Sequence, residues 1–238
     1  MTSTDANPGT DLSRRQPTTH QPHGPDGANP AWTVERSKTL AREHLSGMGN
    51  RWQHVQAAGR RAEELRAAGL VHDAVVSAAW LHDIGYAPDL IDTGFHPVDG
   101  ARYLQRIGVP ERIVAMVAWH TGADQEAAER GLQQQLSELP APDPDDLNTV
   151  TLIDLVTSPS GTAVLPEDRI AEILRRYPAD HEVHQAVQRS GPGLLDVAAR
   201  AQRRLGLPDE WPCSHESIPT RGEQDQGTVS TNGSRRNQ

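Results

Sequence analysis

The sequence predicts an all-α protein, and three observations carry that prediction. Apolar residues recur at spacings of three and four through the middle of the chain. Alternating segments bounded by turn pairs, the mark of strands, are missing. Phenylalanine occurs once and β-branched runs are few, so little in the composition favours a sheet.

The elements follow in order. Thr33–Leu45 reads as a first helix, stopped by Ser46-Gly47-Met48-Gly49. Arg51–Ala68 carries Trp52, Val55, Ala58, Ala62 and Leu65 at helical spacing and ends at Gly69. His72–His82 is apolar on most sides, which predicts a buried helix. Gly85, Pro88 and Gly94 mark a loop. Pro97–Ile107 is helical up to Gly108, and Pro110 suits the first position of a helix to His120, with Glu111 favourable to its dipole. Asp124–Leu139 reads as one polar helix and Pro140–Asp146 as a linker. Leu147–Val156, Pro166–Tyr177, Glu182–Gln188 and Leu194–Leu205 complete the set. No internal repeat is visible.

Composition divides the chain into tails and a folded part. Residues 1–30 and 212–238 are rich in Pro, Gly, Ser, Thr and Asn and poor in large apolar side chains, so both read as disordered. The folded domain is expected over 31–211, with its chemistry in 51–158. Net charge is −9 and no basic block stands out, which argues against nonspecific nucleic-acid binding. The single cysteine, Cys213, excludes an internal disulfide framework and suits a cytoplasmic protein. Ser13-Arg14-Arg15 is followed by no apolar stretch, so an export signal is not expected, and no apolar run approaches a membrane span.

The chemistry centres on His82-Asp83-Ile84-Gly85. An adjacent His-Asp pair offers a neutral nitrogen ligand and an anionic oxygen ligand able to bridge two cations. His82 lies seven residues after Val75 and four after Ala78, which continues an inward face. His120 stands seven after Ile113, and Asp154 seven after Leu147, so both point inward by the same rule. His54 lies at the edge of the stripe through Val55 and Ala58. Buried carboxylates and imidazoles on separate helices call for a shared partner, and a divalent cation is the simplest. The alternative for Asp154 is an arginine partner such as Arg112 or Arg169. A second pair, His72-Asp73, falls ten residues earlier, about 80° away around a helix, and Asp73 reads as a first-turn acid rather than a ligand.

In this order His54, His82-Asp83 and Asp154 resemble the H…HD…D pattern of the HD-domain superfamily of metal-dependent phosphohydrolases. His96 and His120 are similar to the two extra histidines of its binuclear branch. The surrounding segments Ala78–Gly85, His96–Ala101 and Trp119-His120-Thr121 share the likeness, over about 51–158. The resemblance implies that His54, His82, Asp83 and Asp154 hold one metal and that Asp83 bridges to a second held by His96 and His120. One or two ions of Mn, Fe, Co, Ni, Zn or Mg would serve, with a metal-activated water as nucleophile. His82 and Asp83 would then stand at the catalytic centre, with Arg51 as a phosphate contact. The implied substrate is a small phosphorylated, nucleotide-like molecule.

One departure stands out: many members carry Lys after the tetrapeptide, and this chain has Tyr86. Two other activities fit the same ligands. A related branch of the fold uses them for a di-iron oxygenase, told apart by two bound irons and oxygen consumption. A regulatory module with a structural metal would hold the ion and turn over nothing.

Overall fold

The computed structural model describes residues 32–213 together with Ile218 and Thr220. The expected tail 1–30 and most of the tail after 213 lie outside the described residues. Among the described residues there is no strand, only an isolated antiparallel bridge between Thr157 and Ala163.

Helix α1 spans Val34–Leu45, where the Thr33 hydroxyl caps the start by accepting from Arg36 N. Helices α2 (Asn50–Ala67) and α3 (Asp73–Leu81) follow. A 3₁₀ turn over Ile84–Tyr86 leads to α4 (His96–Arg106) and α5 (Glu111–Trp119). A second 3₁₀ turn, His120–Gly122, precedes α6 (Ala123–Arg130) and α7 (Gln133–Ser137). Helices α8 (Pro144–Leu155), α9 (Pro166–Arg176) and α10 (Glu182–Arg204) close the order. None of these helices is long and apolar enough to cross a membrane.

Helix α3 is the centre of the packing. Val75–Leu81 is buried at every position, and α3 touches α1, α2, α5 and α8. This is the outcome expected for a helix apolar all round. Close approach to α2 depends on Gly59, where a Cβ would lie 2.2 Å from the Trp80 ring. Arg61 on α2 donates to Thr157 Oγ1 at 3.0 Å, which ties α2 to the segment just after α8.

Three elements differ from the sequence expectation. The stretch 124–139 is two helices, because Gly131 takes φ +67 and ends α6 with a left-handed cap. Helix α8 begins three residues before the expected start, since Asp143 accepts from Asp145 N and Asp146 N and Pro144 needs no donor partner. Helix α10 is continuous where two helices were expected: it runs through Ser190-Gly191-Pro192-Gly193 while packed on α6, α8 and α9. Tertiary contacts there outweigh the local cost of Pro and Gly.

Candidate metal centre

Six side chains from five segments of the chain converge. His54 comes from the middle of α2, and His82 and Asp83 directly follow α3. His96 opens α4, His120 directly follows α5, and Asp154 lies in the last turn of α8. The structure brings together all six sequence candidates. His54 and His82 are 1 % exposed and Asp83 2 %, so His54 is fully interior rather than at the edge of its stripe.

Two half-sites share Asp83. In the first, His54 Nε2 lies 3.1 Å from both His82 Nε2 and Asp154 Oδ1, and 3.7 Å from Asp83 Oδ2. In the second, His96 Nε2 and His120 Nε2 are 3.2 Å apart and lie 3.4 and 3.9 Å from Asp83 Oδ1. One carboxylate thus turns one oxygen to each half.

Local construction explains the aim of the rings. His82 Nδ1 donates to Ala79 O at 2.9 Å, and His120 Nδ1 donates to Val117 O at 2.7 Å. Each ring folds back on its own helix by three residues, leaving Nε2 outward. His54 Nδ1 donates to Ser158 O at 3.2 Å. A carbonyl only accepts, so Nδ1 carries the hydrogen in all three, and each ring in its neutral form presents a lone pair at Nε2. Backbone-fixed imidazoles of this kind are the usual outer support of metal ligands. The C-terminal ends of α3 and α5 both open here, and their dipoles favour a cation.

The donor set fits a metal. In their neutral forms His54 and His82 face each other with lone pairs 3.1 Å apart, which repel unless a cation lies between. Two nitrogens at that separation, each about 2.1 Å from an ion, subtend roughly 95°, an ordinary ligand angle. Burial lowers the pKa of His96, well below the usual histidine value, and that of His120, keeping both in the ligand form. Burial alone would raise Asp83, but the Arg51 guanidinium beside it, joined by His82 and His54 when protonated, holds it well below the carboxylate range. For Asp154 burial is likewise outweighed when His54 is protonated, by its hydrogen bond and charge, and then by His82 and Arg169. Both acids are therefore ionised.

The arginine alternatives for Asp154 make their hydrogen bonds elsewhere. Arg112 Nε donates to Asp146 at 2.6 Å, and Arg169 to Glu172. Arg51 donates to Asp83 Oδ2, and its guanidinium lies 3.9 Å over the Tyr86 ring. Tyr86 in turn stacks on His96, with centroids 4.0 Å apart and planes at 17°. At the position of the absent lysine, the aromatic ring therefore carries a cation supplied from α2.

Two features went unread in the sequence. Gly85 allows the 3₁₀ turn to press on α4: a Cβ there would lie 2.0 Å from His96 O and 2.6 Å from Gly100 N. That contact brings Asp83 and His96 together. Asp99, buried in the first turn of α4, accepts from Thr93 N at 2.9 Å, Thr93 Oγ1 at 2.7 Å and Gly94 N at 3.0 Å. It fixes the loop entering His96. Its signal was an acid at first-turn spacing after His96-Pro97.

Fold and site together define an all-α protein with clustered His and Asp side chains able to hold divalent metal. The HD domain family model matches residues 36–158, and the chain belongs to that family. No curated protein and no solved structure matches the chain.

Proposed function

We propose that this chain is a metal-dependent phosphohydrolase that cleaves a phosphoester or phosphoanhydride of a small, nucleotide-like molecule. The observation that carries the reading is the pair of half-sites sharing Asp83, beside a cavity of about 90 Å³ lined by Arg51, Asp83, His96, His120 and Asp154. His54, His82 and Asp154 would hold one ion, His96 and His120 a second, and Asp83 both. Divalent metal bound there supplies Lewis acidity and a water acidic enough to act as nucleophile near neutral pH.

The protein's own groups do the rest. The Nδ1 bonds of His54, His82 and His120 keep the three Nε2 atoms aimed while the substrate binds and leaves. Arg51, held over Tyr86 and beside Asp83, offers its remaining N–H groups to phosphoryl oxygens, and its fixed charge offsets theirs. An adjoining groove of about 400 Å³, also lined by Arg51 and His54, gives room for the remainder of a nucleotide-sized molecule.

The test is a phosphatase and phosphodiesterase screen with protein loaded in turn with Mn, Fe, Co, Ni, Zn and Mg, metal content being measured on the same preparation. Release of phosphate or a phosphomonoester with at least one loaded form is expected. Loaded protein that hydrolyses nothing across nucleotides and simple phosphoesters would overturn the reading.

A further inference from the structure

Helix α9 lies beyond the family-matched segment, yet it delivers two arginines to the site. Arg169 and Arg176, with Arg51, line both the inner cavity beside the His/Asp cluster and the outer groove. Arg169 is only 8 % exposed. Its Nη1 donates to Glu172, but its buried Nε–H has no acceptor among the described residues. A guanidinium is always charged, so a buried one with a free N–H calls for an acceptor.

Glu172 organises the face. It accepts from Arg169 and, at 2.7 Å, from Arg176 Nε. Positions 169, 172 and 176 fall on one side of a helix, so a single carboxylate aligns two guanidiniums. Arg51 has its own carboxylate in Asp83. The guanidiniums of Arg51, Arg169 and Arg176 thus share the wall beside the cluster, with planar N–H donors suited to tetrahedral oxyanions.

We propose that Arg169, aligned by Glu172 and flanked by Arg51 and Arg176, is an oxyanion anchor that takes the phosphoryl group of the substrate and the phosphate product. This rests on the hydrolase reading and adds to it a specificity residue outside the family segment. Arg169 receives the non-reacting oxygens, and the apolar wall of Ile170 and Ile173 beside it excludes water from them.

The experiment titrates inorganic phosphate into the metal-loaded full-length chain by calorimetry, for wild type, Arg169→Gln, Arg169→Lys and Glu172→Gln. Metal content and melting temperature are recorded for each. Arg169→Gln is expected to weaken phosphate binding about tenfold or more, with Arg169→Lys between. Glu172→Gln takes away one of the two carboxylate oxygens that align the guanidiniums and is expected to weaken binding severalfold, less than Arg169→Gln. A purely structural ion pair would instead give two variants that lose stability together and bind phosphate alike. Wild-type affinity in Arg169→Gln, weakening in Glu172→Gln equal to that in Arg169→Gln, or no phosphate binding by loaded wild type would each overturn the proposal. If the variants leave phosphate affinity and KM unchanged while the protein hydrolyses phosphoesters, the anchor falls and the hydrolase reading stands. If phosphate binds in the expected pattern while no ester is cleaved, the reverse holds.

Discussion

Two His-Asp pairs ten residues apart bracket helix α3, and they have opposite fates. His72-Asp73 opens the helix: the His72 side chain is 42 % exposed and Asp73 72 %. His82-Asp83 closes it, with both side chains at or below 3 %. His72 bonds the buried Asp146 at 2.9 Å and Asp73 meets the exposed Arg66 at 3.2 Å, so each makes an ordinary pairing away from the cluster. His82 and Asp83 meet four further metal-ligand candidates. The dipeptide is the same; what differs is the end of the helix and the fourth residue, Val75 in one segment and Gly85 in the other. A helix C-terminus welcomes a cation, and only glycine lets the following turn reach α4.

Gly85→Ala should therefore have the largest effect on stability. The added methyl meets backbone rather than a movable side chain, so a loss of about 3 kcal/mol is expected, together with weakened metal binding. Denaturant unfolding and metal analysis would check both. Gly94→Ala, where a Cβ has open space but φ is +76, should cost about 1 kcal/mol and leave metal binding intact. Equal effects from the two would break the account of the fourth residue.

The pH dependence separates the pairs next. His96 and His120, which face Asp83, have folded values below 6.5, so the unfolded chain binds more protons as pH falls. Metal-free protein should lose stability from about pH 6.5 downward, by roughly 1 kcal/mol per pH unit for each histidine. Asp83 and Asp154, also depressed, add a further loss below about pH 4. Melting followed across pH 5 to 8 would show the first slope, and His96→Gln with His120→Gln should flatten it. Loaded protein should resist acid further, because protons and cations compete for the same nitrogens.

The smallest effect belongs to the surface pair. His72→Ala removes one partner of Asp146, which Arg112 still holds at 2.6 Å, so the loss should stay under about 1 kcal/mol. Metal content should not change. A larger loss, measured by denaturant unfolding, would mean that the first pair does more than join two surface elements.

Much of this was legible because helix periodicity and ligand type speak from the residues themselves. The buried run of α3 and the inward phases of His82, His120 and Asp154 were readable from spacing. His54 and His96 owed their roles to the family resemblance, since His54 neighbours a stripe and His96 starts a helix. Arg169 was readable only as one possible arginine partner of Asp154, because nothing in the spacing of Arg169, Glu172 and Arg176 tells how deeply that helix face is buried. Only the packing of α9 against α8 and α10 buries Arg169. The continuity of α10 was hidden for the opposite reason: Gly191-Pro192-Gly193 signals a break that tertiary contacts override.

The central claim is that position in the fold, not the dipeptide, makes a metal ligand. Metal stoichiometry of Asp83→Ala and Asp73→Ala, purified and loaded side by side with wild type, tests it most directly. Asp83 alone faces both half-sites, so Asp83→Ala should lose bound metal and with it all activity, while Asp73→Ala keeps the wild-type stoichiometry and rate. Equal loss in the two variants, or full metal content in both, would contradict the account.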